Sequence, residues 1–148
     1  MLEGLFVTPA LTAVTEALRS ASADAGKLAV VGHAKLATAL ASAEREVVAI
    51  GLSTRAAKKH PKALADLSSV DARSLAGVVG VDVATNDAWE ATLSEWSRTV
   101  RDGGAVVLVD RGHAAEASRR ALCAGLTELE QRHVGRLVIT SGLVSHLY

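Results

Sequence analysis

Two segments carry the residues whose types and placing best suit chemistry: Asp82, and the run Asp110, Arg111, His113. Each follows a stretch without polar interruption, "GVVGV" before Asp82 and "AVVLV" before Asp110, of the kind that forms a buried strand. Each carboxylate therefore stands where a strand opens onto the end of a sheet, the usual place for a bound molecule in an open α/β protein. There Asp82 or His113 can take up a proton or orient a substrate. Both segments also have a plainer reading, Asp82 as a turn former before "ATND" and Asp110 to His113 as a charged loop.

Other reactive types are scattered. His33, His60, His113, His133 and His146 show no paired short spacing, so no metal site is expected. Cys123 is the single cysteine, which excludes an intrachain disulfide, and its place within a helical pattern predicts a buried, unreactive thiol. Ser141, in "TSGLVS", lacks the Gly-x-Ser-x-Gly frame of a nucleophile elbow. Arg55 to Lys62, "RAAKKHPK", is a basic cluster without interleaved aromatics and reads as a solvated face. Sixteen acidic and sixteen basic side chains cancel, leaving no global field to attract DNA, RNA or an anionic membrane.

The elements that position these residues follow from hydrophobic spacing. Thr8 and Pro9 read as the cap and first residue of a helix running to Gly26. Ahead of it, Leu2, Leu5, Phe6 and Val7 either cover the chain's own core or form an interface with another subunit or partner. Lys27 to Val31 and Val47 to Ile50 read as strands, joined by a helix from Ala34 to Arg45. A short helix is expected from Thr54 to Lys59, and a third strand between Ala63 and Leu75. Gly77 to Val83 is a central strand. Asp87 and Glu90 have the spacing of a capping box for a helix that buries Trp89, Leu93, Trp96 and Val100, separated by four, three and four positions. "RDGG" ends that helix, a strand follows from Ala105 to Val109, and another helix from Ala114 to Ala124. The tail reads as an antiparallel hairpin turning near Gly135. At 148 residues, with 49% hydrophobic but only 3% aromatic side chains, the chain suits one domain whose core is built from Ala, Val and Leu. No apolar run reaches the length of about eighteen residues needed to span a membrane, no targeting segment is expected, and the cytoplasm is the expected compartment.

This order of elements resembles the class I S-adenosylmethionine-dependent methyltransferases. The resemblance is carried by "WEATLSEWSRTVRDGGAVVLVD", Trp89 to Asp110, and by "AGLTELEQRHVGRLVITSGLV", Ala124 to Val144, with a compatible order over the rest. It implies a three-layer α/β/α sandwich, a mostly parallel sheet with an antiparallel C-terminal hairpin, and a cofactor over the ends of the first two strands. If cofactor is bound, Gly32, His33, Ala34, Gly51, Ser53 and Asp82 are its expected contacts. If the chain is active, Asp82 and His113 are the expected catalytic residues.

The chain departs from the family where the cofactor sits. The family's first strand carries an acid followed by a Gly-x-Gly-x-Gly turn; here "VVGHAKL" places Val30 at the acid, keeps Gly32, and puts Ala34 and Leu36 at the other glycines. At the end of the second strand, where the family holds the ribose with another acid, stand Gly51, Leu52 and Ser53. Hydrogen bonds to charged groups contribute about 1.5–3 kcal/mol each. Losing two weakens binding by about 3–6 kcal/mol, on the order of a hundredfold to ten-thousandfold. The leading expectation is therefore a catalytically inactive methyltransferase-like domain that binds a protein partner or itself and takes no cofactor. The alternative is a compact methyltransferase that uses S-adenosylmethionine on a small molecule. A third reading, a dinucleotide-binding Rossmann module, fits the Gly-x-x-x-x-Ala frame of "GHAKLA" but places Ala34 where glycine admits the pyrophosphate, and lacks the following acid.

Overall fold

A computed structural model of the chain describes residues 2–20, 26–41, 46–52, 55, 58 and 63–146. The Val-, Leu- and Ala-rich runs, which have no wet face, become β1 (Leu28–Val31), β2 (Val47–Ile50), β3 (Leu75–Val81), β4 (Val100–Arg111), β5 (Thr127–Val134) and β6 (Leu137–Leu143). They form one sheet in the order β2-β1-β3-β4-β6-β5. The first four strands are mutually parallel, and β6 enters antiparallel between β4 and β5. Among the described residues four α-helices cover the sheet: α1 (Leu2–Ser20), α2 (Ala34–Leu40), α3 (Trp89–Thr99) and α4 (Ala114–Cys123).

Alternation along each strand sends side chains to two separate cores. Val30, Val79, Val107 and Val109 join Val14 and Leu18 of α1 and Leu36 of α2 on one face. Ala29, Val78, Val106 and Leu108 join Leu93 and Trp96 of α3 and Ala121 of α4 on the other. The result is the expected three-layer α/β/α architecture, with the antiparallel hairpin at its C-terminal edge.

Several local expectations are corrected. Helix α1 begins at Leu2, so Leu2, Leu5, Phe6 and Val7 lie within it and Pro9 lies in its interior rather than at its start. There the proline nitrogen donates no helical hydrogen bond, a loss the surrounding helix absorbs. No strand forms between Ala63 and Leu75; Leu64 makes one parallel bridge to Ile50. The rest of that segment turns on itself, with Ser68 N–H donating to Asp66 Oδ1 (2.9 Å) and the Ser74 hydroxyl to the Asp71 carbonyl (2.7 Å). Such local bonds compete with strand pairing. Arg98 of α3 then holds the segment by donating to the carbonyls of Leu67 (2.9 Å) and Val70 (3.0 Å).

Strand β3 spans Leu75–Val81 rather than Gly77–Val83, because Asp82 turns left-handed and a 3-10 turn follows at Val83–Thr85. The expected Asp87 capping box is absent: Ala88 occupies the cap position, and Asn86 Oδ1 accepts from the Ala88 N–H at 2.8 Å. Helix α3 ends at Thr99, before "RDGG", which lies inside β4 as an irregularity of register between Leu75 and Gly77 of the neighbouring strand. Helix α2 stops at Leu40, capped by the Ala41 N–H on Ala37. Trp96 is buried, whereas Trp89 is half-buried with the guanidinium groups of Arg119 and Arg120 over its ring at 5.5 and 5.2 Å. Cys123 is exposed, since the buried stripe of α4 is formed by Ala117 and Ala121. The expected helix from Thr54 to Lys59 falls mostly outside the described residues, as do Ser53 and His60.

Candidate functional site

At the end of β1 the chain must reverse sharply into α2. Gly32 makes the turn at φ +83°, where a side chain would be strained. His33 follows in extended conformation and caps α2, its Nδ1 accepting from the Leu36 N–H at 3.0 Å. Ala34 opens the helix half-buried. Leu36 points beneath the helix into the first core and is fully buried, as is Val30. Leu36, at a position where the family has glycine, is therefore directed into the core and not into the crevice above the strands. Neither β1 nor β2 ends in an acid. At the end of β2, Gly51 adopts φ +66° and donates its N–H to the Leu64 carbonyl (2.9 Å), and the half-buried Leu52 packs against the first core.

The ends of β3 and β4 are built differently. Asp82 and His113 both hold left-handed backbone, at φ +58° and +60°, a conformation that costs a non-glycine residue about 1 kcal/mol or more and gathers at functional sites. The Asp82 N–H is held by the Val109 carbonyl at 2.9 Å. Its carboxylate, half-exposed, lies 4.0 Å from the Arg111 guanidinium, an exposed pair of little energetic weight. Asp110 continues the stripe of Val106 and Leu108 and is consequently buried, at 2% exposure. One oxygen, Oδ1, accepts from the Ala84 N–H at 2.9 Å and so anchors the 3-10 turn; the other, Oδ2, is buried with no hydrogen-bond partner. Burial holds this carboxyl above the ordinary carboxylate range, and nearby Asp82 adds to the shift, against the opposing pull of the Ala84 N–H, His113 and Arg120.

Asp82, Thr85, Asp110, Arg111 and His113 line a cleft of about 300 Å³. The structure thus brings Asp82 and His113 together, as the sequence expects. That cleft is lined by none of Gly32, His33 or Ala34. Among the described residues no group of histidine, cysteine and acidic side chains is arranged to hold a metal ion. The cleft offers acceptors at Asp82 and a histidine side chain at His113 to a bound molecule, over a buried carboxyl at Asp110.

The sequence reading missed Arg120, which braces the site from α4. It donates to the carbonyls of Val83 (2.7 Å) and Asn86 (2.8 Å) and to Glu116 (2.6 Å). No local signal separates it from Arg119, which also bonds Glu116 but stays exposed and reaches no carbonyl of that turn. Arg136 was likewise unmarked, and His133 was weighed only as a metal ligand. With Arg111 and His113 they line a second opening of about 580 Å³ beside the first. No helix among the described residues is long and apolar enough to cross a membrane.

No family model matches the chain, and no curated protein matches it in sequence. Solved structures do match in fold. A protein of Methanococcus maripaludis described as an S-adenosyl-L-methionine-dependent methyltransferase aligns with a TM-score of 0.76 at 11% identity, over 100% of this chain and 89% of its own. A protein described as a methyltransferase, solved in complex with the Haloferax volcanii Trm112 methyltransferase activator, aligns with a TM-score of 0.70 at 14% identity, over 90% and 89%. The T. thermophilus 16S rRNA N2 G1207 methyltransferase, in complex with AdoMet and guanosine, gives 0.60 at 19%, over 81% of this chain and 35% of its own. The fold of the chain is class I methyltransferase-like.

Proposed function

We propose that this chain is a methyltransferase-fold protein that does not carry out S-adenosylmethionine-dependent transfer and works by binding another protein or a second copy of itself. The observation that carries the reading is the chemistry of the β1 and β2 ends. Val30 is enclosed in hydrocarbon and Gly51 is followed by Leu52, so no carboxylate stands where the cofactor's sugar and amino group need one. Gly32 alone retains the family turn. A fold neighbour of closely similar length, described as a methyltransferase, occurs in a complex with an activator protein, which supports association as the mode of action. The lone cysteine suits a reducing, cytoplasmic setting. Leu2, Leu5, Phe6 and Val7, at the start of α1, are the proposed interface residues.

The cleft at Asp82, Asp110 and His113 favours a second reading, a compact methyltransferase acting on a small molecule, because two strained residues and a buried carboxyl converge there. Calorimetric titration with S-adenosylhomocysteine separates the two. Silence up to millimolar ligand is the expected outcome; dissociation constants of about tens of micromolar or tighter overturn the proposal. Light scattering across a concentration series then tests self-association, which Phe6→Asp should abolish. A wild-type chain that stays monomeric throughout removes the self-association part.

A further inference from the structure

The two openings at the ends of β3 and β4 share Arg111 and His113 and differ in chemistry. The smaller is edged by carboxylates, Asp82 on the rim and Asp110 in the floor, whose Oδ2 is closed from solvent and lacks a partner. A buried acceptor left unmet costs free energy unless a donor reaches it or it keeps its proton. The larger is edged by the guanidinium groups of Arg111 and Arg136 and by the imidazole of His133, together with Ala114, the first residue of α4. Helix α4 has no side-chain cap, so its first N–H groups add to the positive character of this opening. Arg136 and His133 form no ion pair among the described residues, and both are exposed. In a chain of zero formal net charge, this separation of sign across one shared wall is a local construction.

We infer that the two adjoining openings together bind one small molecule carrying both an ammonium group and an oxyanion, the ammonium toward Asp82 above the buried Asp110, the oxyanion toward Arg111, Arg136, His133 and the start of α4. Guanidinium groups suit an oxyanion because their paired N–H groups match its geometry. On the rim the Asp82 carboxylate supplies acceptors, which suits a donor-rich cation. Asp82 is also an expected cofactor contact, but Arg111, Arg136 and His133 are not, so the two ideas fail separately, one in the titration with S-adenosylhomocysteine and the other in the titration below.

The test is an NMR titration of the intact chain with O-phosphoethanolamine and β-alanine as zwitterions of different oxyanion, and with ethanolamine and inorganic phosphate as the separate halves. At least one zwitterion should give saturable shifts at the Gly112, His113 and Arg136 amides, with an affinity about tenfold or more above either half. Arg136→Ala should weaken that zwitterion by about fivefold or more. Asp110→Asn should erase its advantage over the oxyanion alone. Should Asp110→Asn fail to fold, Asp82→Asn on the exposed rim serves in its place, with the same expectation. Equal binding of phosphate and O-phosphoethanolamine with no response to β-alanine, absence of saturable shifts with every compound, or indifference to the substitutions each overturns the inference.

Discussion

Val30 shows why the family's cofactor pattern cannot be restored in this chain one residue at a time. It is fully buried among the side chains of α1 and α2, so Val30→Asp places an unpaired carboxylate in hydrocarbon. We expect a loss of about 3 kcal/mol or more in urea unfolding and no gain of S-adenosylhomocysteine binding. A variant as stable as the parent would show that the position reaches water. Asp110 makes a second residue-scale case, with a defined sign. Its carboxyl titrates above the ordinary 3.8, chiefly because it is buried. It binds its proton more tightly folded than unfolded, so its contribution to stability is present below the ordinary carboxylate range and is lost as pH rises through the raised folded value. Asp110→Asn keeps an oxygen for the Ala84 N–H and removes the buried charge. Thermal melts should therefore find the variant more stable than the parent at neutral pH, with the difference shrinking toward about pH 4. A difference that does not change with pH would count against the burial argument. The identity of Asp110 as a strand-ending acid was legible in the sequence, and its alternation with Val106 and Leu108 was the available sign that it would be buried. Its orphan oxygen was not legible, because that depends on Ala84 and on what closes over it.

At the scale of elements, β3 and α3 fit together through one missing side chain. A Cβ on Gly80 would fall on the Trp96 ring, within 2.8 Å of Cζ2. Gly80→Ala should cost about 1–3 kcal/mol in denaturant unfolding and alter the emission of Trp96; an unperturbed indole would mean that α3 stands off the sheet. The helical spacing of Leu93 and Trp96 was legible, and both are buried, whereas Val100, expected on the same helix, is buried as the first residue of β4. Trp89, one turn earlier, is covered by two arginines of α4, a contact set by which helices adjoin. The missed third strand has a similar cause. The Asp66 and Ser74 side chains satisfy the backbone N–H of Ser68 and the carbonyl of Asp71 locally, and Arg98 ties the segment to α3 instead of to a strand edge. Boundary errors at Asp82 and at "RDGG" mark places where one backbone turn or an irregular register overrides propensity.

For the whole molecule, the scarcity of aromatic residues becomes a packing rule. Helix α1 meets the sheet through Ala10, Ala13 and Ala17 beside Val14 and Leu18, and α4 through Ala117 and Ala121. Small residues at these points let helix and sheet approach closely, so enlarging them separates layers rather than filling a void. Ala13→Leu should destabilise the chain by about 1–3 kcal/mol, read as a lower thermal midpoint; a neutral or stabilising effect would reveal unfilled space under α1. The outer edge strand β5 carries Glu130 and Arg132, and Arg132 reaches Glu16 of α1 at 3.4 Å. Charges of this kind blunt an edge against unwanted pairing.

Periodicity by itself determined alternating buried strands and amphipathic helices with a terminal hairpin, because continuous apolar runs and helical stripes leave few ways to remove hydrocarbon from water, and the family resemblance implied their three-layer arrangement. Residue types alone also determined that the β1 and β2 ends would lack carboxylates. Only the tertiary structure decided that Leu36 would turn inward, that Asp110 would be sealed with one oxygen unmet, and that Arg136 and His133 would join Arg111 at one opening. Those outcomes depend on which segments distant in sequence come to share a wall, and a side chain's charge, burial and partners are set by that neighbour, not by its own stretch of chain.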